Sequence, residues 1–535
     1  MNKTRILYDQ EARDALKNGV NKVARAVVTT LGPKGQNVAL STRYGVPSIV
    51  HDGVSVAKRI FLEDPAEDEG AKLVKEAAGK TNQLTGDGTT TVTLLTSEMV
   101  NRGMKFISSG ANGMTVRKGM ESAKKQIISN LRNESRDVKK SEWESIATIS
   151  AQDDEIGSFI SQAFNLVGTE GSIQVEEGAG DKIEIEHKEG FSFEEGYMSD
   201  YFITDYGRLN CVYDDANILV TDININNISQ FKAIAQAWNK PGQNNKPIII
   251  VCGGMSSDIL AITATNKLKA AFPIVVVKAP DQGDRMAQIL NDVALFTGAK
   301  MISAEAGMKL NEVKNEDFGM VKRVVVDKFS TTIMADPEKE HVDARIAEIK
   351  TQMKAETNEF NIEFLKKRMA KLTNGIAILY VGGKTESETK EIRERVYDAV
   401  GATRSAIEEG VVLGGGMALY NAATENVTTS DSAEDDFSFG AKLVIDSCLM
   451  PMRKLIENCG DDAGQMVERI QSINAADKSS SWGYNAYTSE ICDLNEKNIL
   501  DPFKVVRVAL ENSVSVAGSI LTTACLIVDI EEEKI

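Results

Sequence analysis

The sequence predicts a multidomain α+β protein, with mainly helical segments at both ends of the chain enclosing an α/β middle. Three features point there. Apolar residues recur at helical spacing near the N-terminus, they do so again beyond residue 385, and β-branched runs alternate with helical patterns in between. A chain of 535 residues exceeds one ordinary core and suggests roughly two to four domains. Helical ends around an α/β insert further suggest one domain assembled from both termini.

Leu16, Val20, Val23, Val27 and Leu31 mark one face of a helix over 10–31, and "GPKG" at 32–35 stops it because Pro33 cannot continue the hydrogen-bond ladder. Two short extended pieces, "NVALS" and "PSIVHDG", precede a helix near 65–80. "GSIQVEEG" and "DKIEIEHKEG" then alternate apolar and polar residues, as half-buried strands do. The runs "PIIIV" (247–251), "PIVVVK" (273–278), "RVVVD" (323–327) and "IAILYV" (376–381) read as buried parallel strands, with helices over 256–271 and 284–297. From 385, Thr385 and Glu388 form a capping box. Ile392, Val396, Ala399, Thr403 and Ile407 continue the helix, and Gly410 ends it. Residues 424–436 read as an exposed loop.

Composition excludes several classes. Apolar residues make up 42% and charged residues 26%, and no run of about 18 uncharged apolar residues exists, which argues against a membrane span. The formal charge of −17 argues against nucleic-acid binding, which needs clustered Lys and Arg. Six scattered cysteines without a C-x-x-C pair, and three histidines, give no zinc or disulfide framework. The first residues lack an apolar block of signal-peptide length, so a cytoplasmic location is the expectation.

Four glycine-containing turns stand out: "TTLGPKG" (29–35), "HDGVSVA" (51–57), "GDGTTT" (86–91) and "VLGGGMAL" (412–419). None has the spacing of a Walker or Rossmann phosphate loop. In "GDGTTT", glycines permit close backbone approach, a helix start offers free N–H groups to an anion, and Asp87 is a hard oxygen donor suited to Mg²⁺. A second reading stays open, in which Asp87 is an N-cap and the threonines are tolerated first-turn residues.

Taken together, these turns with "TISA" (148–151), "VKAP…GDR" (277–285), "DAVGATRSAIEEGVVLGGG" (398–416), "NCG" (458–460) and "GYNA…ILDP" (483–502) resemble the group I chaperonins, the GroEL type or 60 kDa chaperonin family, of which the chain reads as a divergent member. The resemblance runs collinearly over nearly the whole chain. It implies an equatorial ATPase domain from 1–134 and 409–535, a small α/β intermediate hinge domain from 135–189 and 373–408, and an apical substrate-binding domain from 190–372. It also implies ATP, Mg²⁺ and K⁺ as cofactors, and an ATPase that encloses non-native polypeptides in a homo-oligomeric, seven-membered ring, single or double, with a GroES-type co-chaperonin.

Carried over by position, Thr30, Leu31, Gly32 and Pro33 would face Asp87, Gly88, Thr89, Thr90 and Thr91 across the phosphates, with His51 and Ser150 beside them. Asp87 would hold Mg²⁺, and Thr30 with Asp87 would meet K⁺. Gly415, Asn485, Ala486 and Asp501 would line adenine and ribose. Asp398 would activate the attacking water with help from Asp52, from a helix that swings onto the phosphates. Tyr197, Tyr201, Phe202, Phe231, Ile234, Trp238, Leu260 and Ala264 would form the apolar polypeptide groove, although residues so spaced also fit a core.

The chain departs from the family's pattern in places. His51 stands where lysine is usual, Asp200 where proline is usual, and Thr265 where the second groove helix is usually apolar. The chain ends in "DIEEEKI" rather than a Gly-Met tail. Arg453 and Asp462 keep a charge pair between rings while Gly464 and Gln465 replace conventional contacts, so ring number is open. These departures suit an organellar or virus-encoded lineage, with the organelle matrix or host cytoplasm as alternative locations. A ring that holds polypeptide with little ATP-driven folding is the competing function.

Overall fold

The computed structural model describes residues 3–41, 48–50, 52–169, 171–178, 180–238, 246–269, 272–425, 427, 435–477 and 480–530. They form two compact units, the first from 1–161, 177–183 and 381–535, the second from 162–176 and 184–380.

The first unit is a helical assembly drawn from both ends of the chain. The helices Asp9–Val27, Pro65–Thr85, Thr89–Ser108, Gly113–Glu134, Asp436–Cys448 and Phe503–Leu521 share one core. Leu16, Val20, Val23 and Val27 are buried in it, the face that the spacing predicts. The strand Lys3–Tyr8 pairs antiparallel with Cys525–Ile530, which ties the termini together. The helix Pro65–Thr85 starts as its sequence dictates: Pro65 fills the first position and the Asp64 carboxylate accepts from Ala66 N at 2.9 Å. Gly86, at φ +74°, ends it in the left-handed conformation. Beyond residue 385 the helix Glu386–Glu409 is capped by Thr385, which accepts from Glu388 N at 3.2 Å. The Glu388 carboxylate in turn accepts from Lys384 N at 2.8 Å, one residue earlier than a strict capping box. Gly410 caps its end at φ +84°. Of the polar stretch 424–436, residues 426 and 428–434 lie outside the described residues.

The second unit is built on a six-stranded sheet in the order Ile274–Lys278, Ile248–Cys252, Cys211–Val220, Gly319–Val326, Thr331–Met334, Gly190–Phe193. The first three strands are parallel, with the helices Ile228–Trp238 and Ser257–Leu268 in the intervening sequence and Gly283–Thr297 following the last of them. The run containing Val324–Val326 is antiparallel to both neighbours, contrary to the parallel expectation. Its turn gives the reason. The Asp327 carboxylate accepts from Phe329 N at 2.6 Å and Ser330 N at 2.7 Å, so the chain reverses within four residues and leaves no room for a crossover helix. The run 376–381 likewise pairs antiparallel with Glu184–Lys188 in a separate three-stranded sheet.

The core of this unit contains a fully buried carboxylate, Asp292. Arg368 binds it through Nε at 2.7 Å and Nη2 at 3.0 Å, and Arg345 adds Nε at 2.8 Å. All six cysteines are free, and Cys211, Cys252 and Cys448 are buried. Among the described residues no helix is long and apolar enough to cross a membrane.

Candidate active site

The site lies within the first unit, where several sequence-distant segments meet. The helix Thr89–Ser108 begins at Gly88, which is left-handed at φ +82° and supplies no side chain to cap the first turn. The N-cap reading of Asp87 therefore fails. Its carboxylate instead accepts from Gly88 N at 2.5 Å and from Ser150 Oγ at 2.9 Å. Thr85 Oγ1 donates to Asp87 O at 2.8 Å and fixes the turn's backbone. The result is a helix N-terminus with uncapped N–H groups, a ring of threonine hydroxyls and one carboxylate at its rim.

The 29–36 turn closes the other side. Thr30 Oγ1 lies 3.5 Å from Thr90 Oγ1 and also donates to Val27 O. Gly32 is left-handed at φ +82°, and Asn458 Nδ2 donates to Val28 O at 3.2 Å and Leu31 O at 3.0 Å. The "NCG" motif thus shapes the turn from outside, a role the sequence reading did not assign. Leu31 packs its side chain against Ala24, Val28 and Leu94, so only its backbone is left for the site. A Cβ on Gly53 would stand 2.6 Å from Thr90 Oγ1 and 3.1 Å from Thr89 Oγ1. That proximity sets the short helix Gly53–Arg59 against the threonines. Asp52 caps this helix, accepting from Val54 N at 3.1 Å and Ser55 N at 2.7 Å. His51 lies outside the described residues.

Gly415 and the 483–486 segment adjoin the same turn. A Cβ on Gly415 would approach Tyr484 O to 3.4 Å, and the Leu455 side chain sits beside both Gly415 and Gly32. Asn485 accepts from Tyr487 N at 2.9 Å, and Cys459 Sγ donates to Ala486 O at 3.4 Å. Asp501 pairs in register with Val412, which brings it next to the glycine turn.

Asp398 arrives on the helix Glu386–Glu409. A Cβ added to Gly401 of this helix would lie 2.6 Å from Gly86 Cα, and Ser405 Oγ donates to Thr85 O at 3.0 Å. The helix therefore rests directly on the "GDG" turn. Burial drives the Asp398 carboxyl well above the ordinary range, and the negative charges of Asp52, Asp87 and Glu394 drive it further. Asp87 is raised by burial and by Asp52, against the opposing bonds from Gly88 and Ser150. Burial and then Asp87 push Asp501 up to about 7. Among the described residues no lysine or arginine offsets these carboxylates.

Such a pocket favours any cation that enters it. Among the described residues no three His, Cys, Asp or Glu side chains converge as a ready-made metal cage. Mg²⁺ does not require one, because it takes one or two carboxylates and completes its shell with phosphate oxygens and water. Asp87, the threonine hydroxyls and the uncapped helix start are a donor set that fits Mg²⁺ with a phosphate chain.

The expected polypeptide groove belongs to the second unit, and there the structure corrects the sequence reading. Tyr197, Phe202, Phe231, Ile234, Trp238 and Ala264 are buried in the sheet's core, and Leu260 packs against it. Tyr197 donates its hydroxyl to Leu209 O at 3.2 Å, and Trp238 packs on Phe272. Those on the helices Ile228–Trp238 and Ser257–Leu268 face inward because apolar residues at helical spacing bury against the sheet they cover. Tyr201 alone of the set is exposed. Ile228 on the helix Ile228–Trp238, and Ile262 and Leu268 on Ser257–Leu268, are exposed large apolar residues of those two helices.

Two comparisons bear on this architecture. Residues 23–531 match the TCP-1/cpn60 chaperonin family. Among solved structures, the chain is similar to the chaperonin gp146 from the bacteriophage EL 2 (Pseudomonas aeruginosa), crystallised in presence of ATP-BeFx. The TM-score is 0.70 at 20% identity, with 99% of each chain covered, a likeness of fold.

Proposed function

The chain belongs to the TCP-1/cpn60 chaperonin family, and from that premise we propose that it is an ATP-hydrolysing chaperone of non-native polypeptides that works as a homo-oligomeric ring. The observation that carries this is the placing of Asp398, Asp87 and Asp52 around the uncapped start of the helix Thr89–Ser108. The first-turn N–H groups and the hydroxyls of Thr89, Thr90 and Thr91 bind the phosphates, with the backbone of residues 30–33 and 88 closing around them. Asp87, oriented by Ser150, holds Mg²⁺, which neutralises charge on the phosphates when bound. K⁺ is assigned to Thr30 and Asp87. Gly415, Asn485, Ala486 and Asp501 receive the base and sugar, and His51 belongs to the phosphate side.

Asp398 takes the proton from the attacking water, and Asp52 fixes that water from the opposite side. As a base Asp398 must be ionised, which burial first and the neighbouring carboxylates second oppose and which a cation held at Asp87 would favour. The gp146 chaperonin was crystallised in presence of ATP-BeFx, which supports nucleotide binding in this fold. The division into equatorial (1–134, 409–535), intermediate (135–189, 373–408) and apical (190–372) domains is part of this reading. So are a seven-membered ring, a GroES-type co-chaperonin and a cytoplasmic setting. Tyr201, Ile228, Ile262 and Leu268 are the exposed apolar residues offered to polypeptide.

Electron microscopy of the purified protein with and without Mg·ATP, alongside its hydrolysis rate and release of a bound unfolded protein, tests the proposal. Rings that hydrolyse ATP and release polypeptide in step are expected. Rings that retain polypeptide without turnover would establish the holding function instead.

A further inference from the structure

Helix Glu386–Glu409 carries a glycine at 401, in its interior and away from either end. Glycine is the poorest helix former after proline, so its presence there needs a reason. Its backbone conformation supplies none, since Gly401 is helical and is not among the glycines with positive φ. Its surroundings do. A Cβ at 401 would meet Gly86 Cα at 2.6 Å, Thr85 O at 3.1 Å and Gly86 N at 3.3 Å, all of them backbone atoms unable to step aside as a side chain would. Gly86 is fixed as glycine by its own φ of +74°. Two glycines therefore meet backbone to backbone, one from each element.

The position of the contact matters. Asp398, Gly401 and Ser405 follow at spacings of three and four and share one helix face. Ser405 donates to Thr85 O at 3.0 Å on the C-terminal side of the contact, and Asp398 stands on the N-terminal side. The helix's last turn is held separately, by Lys504 on Glu408 and Arg507 on Glu409.

We propose that Gly401 is a positioning residue: its missing side chain lets the helix backbone settle onto Gly86, and this seat sets Asp398 at the phosphate turn. The proposal rests on the reading of Asp398 as the hydrolytic base. A methyl group at 401 wedges the helix outward, displacing Asp398 while leaving the 29–36 and 86–91 turns in place. Hydrolysis should suffer and nucleotide binding should not.

The test measures ATP affinity and single-turnover hydrolysis on the full-length assembled protein for wild type, Asp398→Ala, Gly401→Ala and Gly79→Ala. Gly79 is the matched control, a helix-interior glycine whose added Cβ meets nothing within 4 Å. The expected result is an unchanged ATP affinity for Gly401→Ala with hydrolysis about 10²-fold slower, the usual cost of misplacing a reacting group by about 1 Å. Gly79→Ala should match wild type in both. If Asp398→Ala slows hydrolysis while Gly401→Ala matches wild type, the seat is overturned and the base assignment survives. If Asp398→Ala hydrolyses at the wild-type rate, both are overturned. Should Gly401→Ala fail to assemble, Ser405→Ala reads the same seat by removing its hydrogen bond. A selective loss of hydrolysis supports the proposal, and a wild-type rate overturns it.

Discussion

Asp292 and Asp398 are both aspartates on helices, one fully buried and the other half-buried, and their surroundings are opposite. Asp292, in the second unit, has no exposed surface and is gripped by Arg368 and Arg345, with Gln288 bonded to the same Arg368. Asp398, in the first, faces the carboxylates of Asp52 and Asp87 without a described lysine or arginine to offset them. Asp292 is paired on every side, whereas among the described residues no lysine or arginine offsets Asp398 and Asp87. The mutual repulsion of these carboxylates is of a kind that a cation with its anionic ligand relieves, and this separates a site for chemistry from a strut of the core.

The comparison breaks if Asp398 proves to be a strut. Asp398→Ala should keep ATP binding and slow single-turnover hydrolysis by about 10²–10⁴, the usual worth of a positioned base. An unfolding midpoint that falls without a change in hydrolysis would reverse the assignment. Asp292→Ala should do the converse. It strands a guanidinium that is 3% exposed and should cost about 3–5 kcal/mol in urea denaturation, with ATP turnover per folded molecule unchanged.

A smaller effect sharpens the metal reading. Ser150 orients the Asp87 carboxylate, so Ser150→Ala should weaken the Mg²⁺ requirement curve by about 10–100-fold while leaving the maximal rate nearer to wild type. The smallest effect concerns Glu134, a carboxylate raised to about 7 by burial and by Glu425. Its folded pKa lies above its unfolded value, so the folded state binds the extra proton, and stability falls as pH rises from about 4.5 through 7. Glu134→Gln should therefore stabilise the protein at pH 8, by about 1 kcal/mol after solvent screening of a partly exposed group, and do nothing near pH 4. Equal melting shifts at both pH values would contradict this.

Local features of the fold were legible because their causes are local. Thr385 starts a helix and Gly410 ends it, as the sequence reading has them, and the causes that bound Pro65–Thr85, Asp64 with Pro65 and Gly86, are just as local. Strand direction was not legible, since "RVVVD" looks alike in parallel and antiparallel sheets and Asp327's turn decides. The burial of Trp238 and Phe231 was ambiguous for a related reason: an apolar face at helical spacing does not say whether it covers a sheet or awaits a partner. The site fared differently. Asp52, Asp87, Asp398 and Asp501 are scattered along the chain, and only the family's collinear motifs could associate them before the structure did. The Gly401–Gly86 contact escaped even those, because a close approach between distant backbones leaves no mark in the sequence beyond a glycine where alanine would serve better.

The central claim is that the carboxylate pocket is completed by a metal and a phosphate chain together. Thermal unfolding of the protein with ATP, in excess Mg²⁺ or in excess EDTA, tests it most directly. Ligand at about 100 times its Kd should stabilise the native state by about 2.7 kcal/mol with Mg²⁺ present, and ATP with EDTA should leave the unfolding temperature near that of the free protein. Equal stabilisation by ATP in both conditions would contradict the account.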